Sequence, residues 1–269
     1  MPEVNIHPCF LTPKRVQPHY PLFVFLPGMD GTGHLLRTQT SGLEAAFDVR
    51  CLAIPRDDLT SWDVLTENVL DLIQAELEKN PQRSVYLCGE SFGGCLAMKV
   101  AIASPHLFKR IIFVNTASAF GRRPWYGWAS QLAALVPSCL YQFGSVGLLP
   151  FIAALGRIIP GDRRDLLEIM RSVPPETVLW RLSLLREFEV DDSQLRRLTQ
   201  PTLVIVSGAD RLLPSMTEAK CLAKAIPNAA MVVLPDSGHA CLLEADVNLY
   251  EIMQDQNFLD RSAQSVGSV

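Results

Sequence analysis

The 269-residue sequence predicts an α/β fold in which helices cover a mostly parallel central sheet. Short apolar runs of strand length alternate with longer segments of helical periodicity, which is typical of this class. The alternation stops between about residues 118 and 199 and then resumes, which predicts a helical insertion. Apolar residues make up 48% of the chain and charged residues 19%, so a sizeable core can be buried.

The first half of the chain contains four predicted strands and two predicted helices. The strands cover residues 22–26, 49–54, 84–88 and 110–115. Residues 62–79 have apolar side chains at helical spacing, with Ser61 as the N-cap and Asn80 and Pro81 as the stop. Residues 92–103 form the second predicted helix, directly after the third strand. Strands separated by helices in this way pair in parallel.

The second half begins with the insertion. Residues 118–199 contain no predicted strand, only helical fragments broken by prolines and glycines. After the insertion, strands are predicted at residues 202–206 and 231–234, with a helix between them at residues 215–225. A final helix is predicted from about Cys241 onward. The sequence therefore predicts a core made of residues 1–117 and 200–269, with a helical cap formed by residues 118–199.

A candidate nucleophile lies between the third strand and its helix. The segment Gly89-Glu90-Ser91-Phe92-Gly93 fits the pattern G-x-S-x-G, in which a sharp turn exposes the serine above the sheet. Both flanking glycines are needed because larger side chains would clash across this turn. The pattern alone arises often by chance, but its position between a strand and a helix favours a catalytic Ser91.

A serine needs a base and an acid to become a nucleophile. His239 follows the last predicted strand and Asp210 follows the strand before it, in the chain order Ser, acid, His that is typical of α/β-hydrolases. Taken alone, either residue could be a turn residue, and an Asp also favours helix caps. Taken jointly, they predict a catalytic triad. Asp236 is the main alternative acid, and Asp192 is a weaker one.

The loop after the first predicted strand, residues 27–33, is the candidate for the second half of an oxyanion hole. We expect the backbone amides of Met29 and Phe92 to be its two donors. Gly28 and Asp30 are candidate substrate-binding residues, although Asp30 could instead satisfy amides of its own loop. A phosphate-binding loop is the alternative, but neither glycine-rich phosphate pattern is present.

The insertion suggests what the substrate is like. Residues 125–159 are rich in aromatic and aliphatic side chains and poor in charge, which favours a lid above an apolar acyl pocket. Trp125 and Trp128 are the candidate substrate-binding residues there. Packing of the cap onto the body is the alternative role for any one of these side chains. Peripheral contact with a lipid surface is a weaker inference.

Composition argues against several other classes. The net charge of −4 without a basic stripe argues against nucleic acid as a partner. No metal-binding pattern occurs, and no cofactor is expected. The seven cysteines are scattered, without CxxC pairs, as in a reducing compartment. Without a signal sequence or a long apolar stretch, we expect a cytoplasmic protein.

Several strings together resemble a known family. They are FLPGMDGTG, VRCLAIP, YLCGESFGGCLA, NTASAF, ETVLWRLSLLR, GADRLLPS and SGHACLLE. They are similar to the hydrolase half of the plant plastid phytyl ester synthases, which are diacylglycerol acyltransferase-like members of the esterase/lipase/thioesterase branch. The resemblance implies a triad of Ser91, Asp210 and His239, with fatty acyl esters, thioesters or galactolipids as donors and long-chain alcohols as acceptors. The plant transit peptide and acyltransferase-like region have no counterpart here, which suggests a stand-alone bacterial or cyanobacterial relative.

Three functional hypotheses follow. The first is a serine hydrolase that cleaves carboxylic esters or thioesters with an apolar acyl group through an acyl-serine. The second is an acyltransferase that moves a fatty acyl group to phytol or diacylglycerol. The third, from another class, is a non-catalytic ligand-binding protein built on the same fold.

Overall fold

A computed structural model describes residues 7–120 and 147–260 of the chain. Within them, seven strands form one sheet in the order β1-β3-β2-β4-β5-β6-β7. The strands are β1 (Cys9–Leu11), β2 (Leu22–Leu26), β3 (Asp48–Ala53), β4 (Val85–Glu90), β5 (Arg110–Val114), β6 (Thr202–Ser207) and β7 (Ala229–Leu234). Only the edge pair β1 and β3 is antiparallel, and the other neighbours run parallel. This arrangement confirms the predicted α/β class.

Helices lie on both faces of the sheet. They are α1 (Arg37–Leu43), α2 (Trp62–Lys79), α3 (Phe92–Ala103), α4 (Pro160–Ser172), α5 (Pro175–Arg186), α6 (Asp192–Leu195), α7 (Ser215–Ala225) and α8 (Leu249–Asp255). One face of the sheet packs on apolar residues of α2, α3, α5 and α7, and the other face packs on α1 and α8. Burial on both faces explains why β2, β4 and β5 are continuous apolar runs without alternation.

The predicted elements agree with the structure except near the end of the chain. Helices α2 and α3 have the predicted bounds, and the Ser61 side chain caps α2 by accepting from the amide of Val64. The final helix predicted from Cys241 is wrong, because Cys241–Leu243 is a single 3-10 turn and α8 begins at Leu249. Helix α8 begins there because the Asn248 side chain caps it by accepting from the amides of Tyr250 and Glu251.

The described part of residues 118–199 is helical, with α4, α5 and α6 and a short helical segment at residues 147–152. Helix α5 packs on the body of the sheet domain, since Leu184 and Leu185 belong to the same core cluster as Trp62. The indole N–H of Trp62 donates to the carbonyl of Leu184 at 2.8 Å. The division into a core of residues 1–117 and 200–269 and a cap of residues 118–199 stays a prediction.

A buried ionic cluster lies at the amino ends of β3 and β4. Asp48 accepts hydrogen bonds from Arg50 and Arg83, and both arginines also pair with Glu76 of α2. Each charge has partners of opposite sign, which offsets the cost of burial. The cluster therefore belongs to the end of the sheet opposite the carboxyl ends of the strands.

In the described ranges, no helix is both long enough and apolar enough to cross a membrane. Cys51, Cys88, Cys95 and Cys241 are buried thiols, and Cys221 is an exposed one.

Candidate active site

Three side chains that the sequence predicted to act together meet at the carboxyl ends of the parallel strands. Ser91 follows β4, Asp210 follows β6 and His239 follows β7. The Nε2 atom of His239 lies 2.9 Å from the Ser91 hydroxyl oxygen, and its Nδ1 atom lies 2.7 Å from Asp210 Oδ2. This chain of hydrogen bonds has the geometry of a nucleophile, a base and an acid. In a parallel sheet, the strand ends bring such residues to one edge.

The turn that carries Ser91 is strained. Ser91 has φ 54 and ψ −114, a region that L-residues other than glycine rarely occupy. A Cβ atom on Gly93 would overlap the carbonyl oxygens of Leu26 and Pro27, and one on Gly89 would lie 2.7 Å from Ala97 Cβ. Neighbouring backbone and side-chain atoms therefore leave no room for a Cβ atom on either side of the serine, as the sequence predicted.

Asp210 is fixed on both of its carboxylate oxygens. Its Oδ1 atom accepts from the amides of Leu212 at 2.8 Å and Leu213 at 3.1 Å, and its Oδ2 atom accepts from His239 and from the Ser215 hydroxyl. Burial opposes ionisation of this carboxyl, but the hydrogen bond and charge of His239 and the bond from Ser215 outweigh it, so the pKa of Asp210 lies below its ordinary 3.8. Asp210 therefore both stabilises its own turn and hydrogen-bonds His239.

The competing acids do not reach His239. Asp236 is exposed on the turn after β7, and Asp192 is exposed at the start of α6. Sequence reasoning missed Ser215, which it treated only as the beginning of a helix. A serine directly after a proline at a helix start carries no separate signal for this contact.

Asn115, directly after β5, holds the loop that carries His239. Its Nδ2 donates to the carbonyl of His239 at 2.7 Å and to the Ser207 hydroxyl at 2.8 Å, and its Oδ1 accepts from the Ser207 amide at 2.8 Å. Asn115 is buried and has φ 42, a conformation that Asn tolerates better than most residues. Sequence reasoning missed this residue because its partners lie 92 and 124 positions away.

Each of the two expected oxyanion donors is next in sequence to a residue at the site: Met29 follows Gly28, and Phe92 follows Ser91. Met29 lies in the turn closed by the hydrogen bond from the Gly31 amide to the Gly28 carbonyl at 3.0 Å. Phe92 is the first residue of α3, where amide groups lack partners within the helix. Among the described residues, the amides of Met29 and Phe92 donate to no protein acceptor. Both are thus free to bind an oxygen, and their role as donors stays a prediction.

Of the four predicted substrate-binding residues, the structure describes Gly28 and Asp30. A Cβ atom on Gly28 would lie 3.8 Å from Ser91 Cβ, so Gly28 lies against the serine. The Oδ2 atom of Asp30 accepts from the amide and the hydroxyl of Thr32, so Asp30 satisfies groups of its own loop. Trp125 and Trp128 lie outside the described residues.

Two further carboxyl groups lie near the site. Burial raises the pKa of Glu90 to about 7, with a further contribution from Asp30 and opposition from His239. Burial also raises the pKa of Asp30 above its ordinary value, although Thr32 and Arg181 oppose this. Within residues 7–120 and 147–260, no group of three or more His, Cys, Asp or Glu side chains could hold a metal ion.

Comparison with known proteins agrees with the fold. The alpha/beta hydrolase fold family matches residues 21–246. The chain is 33% identical over 264 residues to phytyl ester synthase 1, chloroplastic, of Arabidopsis thaliana, covering 90% of this chain and 38% of that protein. It is 26% identical to a pimeloyl-(acyl-carrier protein) methyl ester esterase of Vibrio parahaemolyticus, covering 82% and 88% of the two chains. The resemblance predicted from the sequence is therefore confirmed.

The solved structure of a thermophilic esterase from Thermogutta terrifontis superposes with a TM-score of 0.75. The two chains are 20% identical, and the match covers 97% of this chain and 94% of the other. At this identity the likeness concerns the fold alone. The chain spans less than two fifths of the length of the phytyl ester synthase that it matches, since only 38% of that protein is covered.

Proposed function

Because the chain belongs to the alpha/beta hydrolase fold family, we propose that it is a serine hydrolase that cleaves carboxylic esters or thioesters through an acyl-serine intermediate. The observation that carries this proposal is the pair of hydrogen bonds at His239, 2.9 Å to the Ser91 hydroxyl oxygen and 2.7 Å to Asp210. The similarity to a methyl ester esterase supports ester hydrolysis as the reaction class.

The proposed reaction has two halves. In the first, the Ser91 oxygen attacks the carbonyl carbon while His239 Nε2 takes the hydroxyl proton, and Asp210 stabilises the imidazolium that forms. The amides of Met29 and Phe92 hold the oxyanion of the tetrahedral intermediate. His239 then gives its proton to the leaving alcohol or thiol as the bond to it breaks. In the second half, a water oxygen attacks the carbonyl carbon of the acyl-serine while His239 takes a proton from the water. His239 then returns this proton to the Ser91 oxygen as the carboxylic acid leaves.

An apolar acyl group is the substrate class that the surroundings favour. Several apolar side chains lie beside the site along the chain: Met29 and Leu212 pack against the main core, and Phe120 and Leu213 belong to it. We therefore propose that fatty acyl esters are better substrates than esters of short polar acids.

Contact with lipid is a further part of this proposal. Leu148, Phe151 and Ile159 are about half exposed. Their segment packs on the loop of the base, since the amide of Ala240 donates to the carbonyl of Ile152 at 2.8 Å. An exposed apolar surface beside the site supports peripheral contact with an aggregated substrate.

The test is hydrolysis of p-nitrophenyl esters from acetate to palmitate by wild type, Ser91→Ala and the control Ser193→Ala. Ser193 is an exposed serine whose hydroxyl donates to Asp191. We expect Ser91→Ala to lose about 10⁴-fold or more in kcat, and the control to match wild type. A Ser91→Ala rate above about a tenth of wild type contradicts the nucleophile. A preference for acetate contradicts the apolar acyl group and leaves the nucleophile standing.

Acyl transfer to a long-chain alcohol is the second candidate function. The 33% identity to phytyl ester synthase 1 favours it. Both functions share the acyl-serine and differ in whether water or an alcohol releases the acyl group. Adding phytol to the palmitate assay separates them, because a transferase forms phytyl palmitate at the expense of free palmitate. Free palmitate alone, at an unchanged rate, contradicts acyl transfer to phytol.

A further inference from the structure

Arg181 is a buried cation that the proposed reaction does not use. It lies on α5 and is 2% exposed. Its Nη1 atom donates to the carbonyl of Met29 at 2.7 Å, and its Nη2 atom donates to the carbonyl of Pro55 at 3.2 Å. The carboxylates of Asp30 and Asp58 act on it only through their charge, and burial lowers its pKa. A guanidinium in this position is expensive to bury, because neutral carbonyls repay only part of its lost hydration.

Both expected oxyanion donors adjoin this guanidinium. The carbonyl that Arg181 binds belongs to Met29 itself. This carbonyl shares its peptide plane with the Asp30 amide, so the bond fixes one side of Met29 in the turn whose other side carries the Met29 amide. The guanidinium carbon also lies 6.0 Å from the centre of the Phe92 ring, whose backbone carries the other donor. A Cβ atom on Gly31 would lie 2.7 Å from Arg181 Nη1, so the loop packs directly on the cation.

We propose that Arg181 is a positioning residue that holds the 28–31 turn in the conformation that receives the oxyanion. The proposal rests on the function proposed above. Its positive charge, held behind the turn, also favours negative charge on the oxygen in front of it. Because α5 belongs to the segment between β5 and β6, the same contact couples that segment to the oxyanion loop.

Other contacts hold α5 when Arg181 is changed. The indole N–H of Trp180 donates to the carbonyl of Thr60 at 2.9 Å, and the indole of Trp62 donates to the carbonyl of Leu184. These bonds lie on both sides of Arg181 along the helix. A substitution at Arg181 therefore releases the turn while α5 keeps its anchors.

The test compares Arg181→Met, Arg181→Lys and the control Arg83→Met in the full chain. Arg83 is also a buried arginine, and it pairs with Asp48 and Glu76 at the opposite end of the sheet. For the Arg181→Met variant we expect kcat to fall about 10- to 100-fold with KM changed less than about twofold, because the turn acts on the transition state. The Arg181→Lys variant should recover part of this loss. Arg83→Met should lower the melting temperature and leave kcat within about twofold.

A second readout separates a loss of the oxyanion-binding conformation from a general loss of order in the site. A long-chain alkyl trifluoromethyl ketone forms a tetrahedral oxyanion on the nucleophile, whereas the matching long-chain alcohol fills the acyl site without one. Affinity for the ketone should fall in parallel with kcat/KM across the Arg181 variants, and affinity for the alcohol should stay constant. Equal losses for ketone and alcohol, or unchanged kcat in folded Arg181→Met, overturn the proposal.

If Arg181→Met fails to fold, Arg181→Lys decides by the same two readouts, because it keeps the charge and loses the fork of two donors. Labelling of wild type with a fluorophosphonate tells the two proposals apart. A wild type that neither labels at Ser91 nor hydrolyses esters overturns the proposed function together with this inference. A wild type that does both, with Arg181 variants that behave like it, overturns this inference alone.

Discussion

Replacing Glu90 by glutamine changes how the stability of the protein depends on pH. Glu90 is partly buried beside Asp30 and His239, and burial raises its pKa from an ordinary 4.5 to about 7. The folded chain therefore binds the proton more tightly than the unfolded chain does. As pH rises from about 4.5 to about 7, wild type loses stability, and above about 7 the loss is complete.

The size of the loss follows from the two pKa values. Moving from 4.5 to about 7 corresponds to about 3 kcal/mol at most. Since Glu90 keeps some contact with water, we expect about 1–2 kcal/mol. Glutamine has a similar shape and stays neutral, so Glu90→Gln should lack this loss. The variant should equal wild type below about pH 4.5 and exceed it by about 1–2 kcal/mol at pH 8.

Urea unfolding at pH 5 and pH 8 measures the difference. Glu78→Gln, on the exposed face of α2, is the matched control and should give the same difference from wild type at both values. A Glu90→Gln variant whose advantage over wild type does not grow between pH 5 and pH 8 would refute the reasoning. So would a variant that is less stable than wild type at pH 8.

Three further substitutions probe the supports of the site. Asn115→Ala leaves the His239 carbonyl without its donor, so we expect a loss of about 2–4 kcal/mol in urea unfolding together with a lower kcat; unchanged kcat would contradict its role in holding the base. Ser215→Ala removes a donor that holds the pKa of Asp210 low. The stability that ionised Asp210 contributes should then be lost at a higher pH during acid unfolding, and an unchanged acid midpoint would count against this. Gly93→Ala forces a Cβ atom into the carbonyl oxygens at the end of β2, and we expect at least about 2 kcal/mol of destabilisation and no measurable turnover; a normally active variant would mean that the turn at Ser91 can relax.

The parts of the structure that the sequence predicted are those encoded by neighbouring residues. Helix α2 has its predicted bounds because Ser61 caps it and its buried residues recur at helical spacing. Ser91, Asp210 and His239 could be found because each lies at the turn or loop that follows a strand, β4, β6 and β7 respectively. Parallel strands with a common direction then place them at one edge of the sheet.

The parts that it missed depend on contacts between distant segments. Arg181 reaches Met29 across 152 positions, and Asn115 reaches His239 across 124. Strand β1 has only three residues and exists through pairing with the edge of β3, so its sequence shows no periodicity. The predicted final helix begins too early because the apolar run Cys241–Leu243 looks like the buried face of a helix in the sequence. In the structure these residues are buried in a 3-10 turn.

The most direct test of the central claim is the site of covalent modification by diethyl p-nitrophenyl phosphate, which forms a stable adduct with an activated serine. We expect one p-nitrophenol released per chain, an adduct mapped by peptide mass spectrometry to Ser91, and no adduct in Ser91→Ala or, at the same exposure, in His239→Ala. An adduct on another residue would contradict the assignment of Ser91. Continued ester hydrolysis by protein that forms no adduct would contradict the acyl-serine mechanism itself.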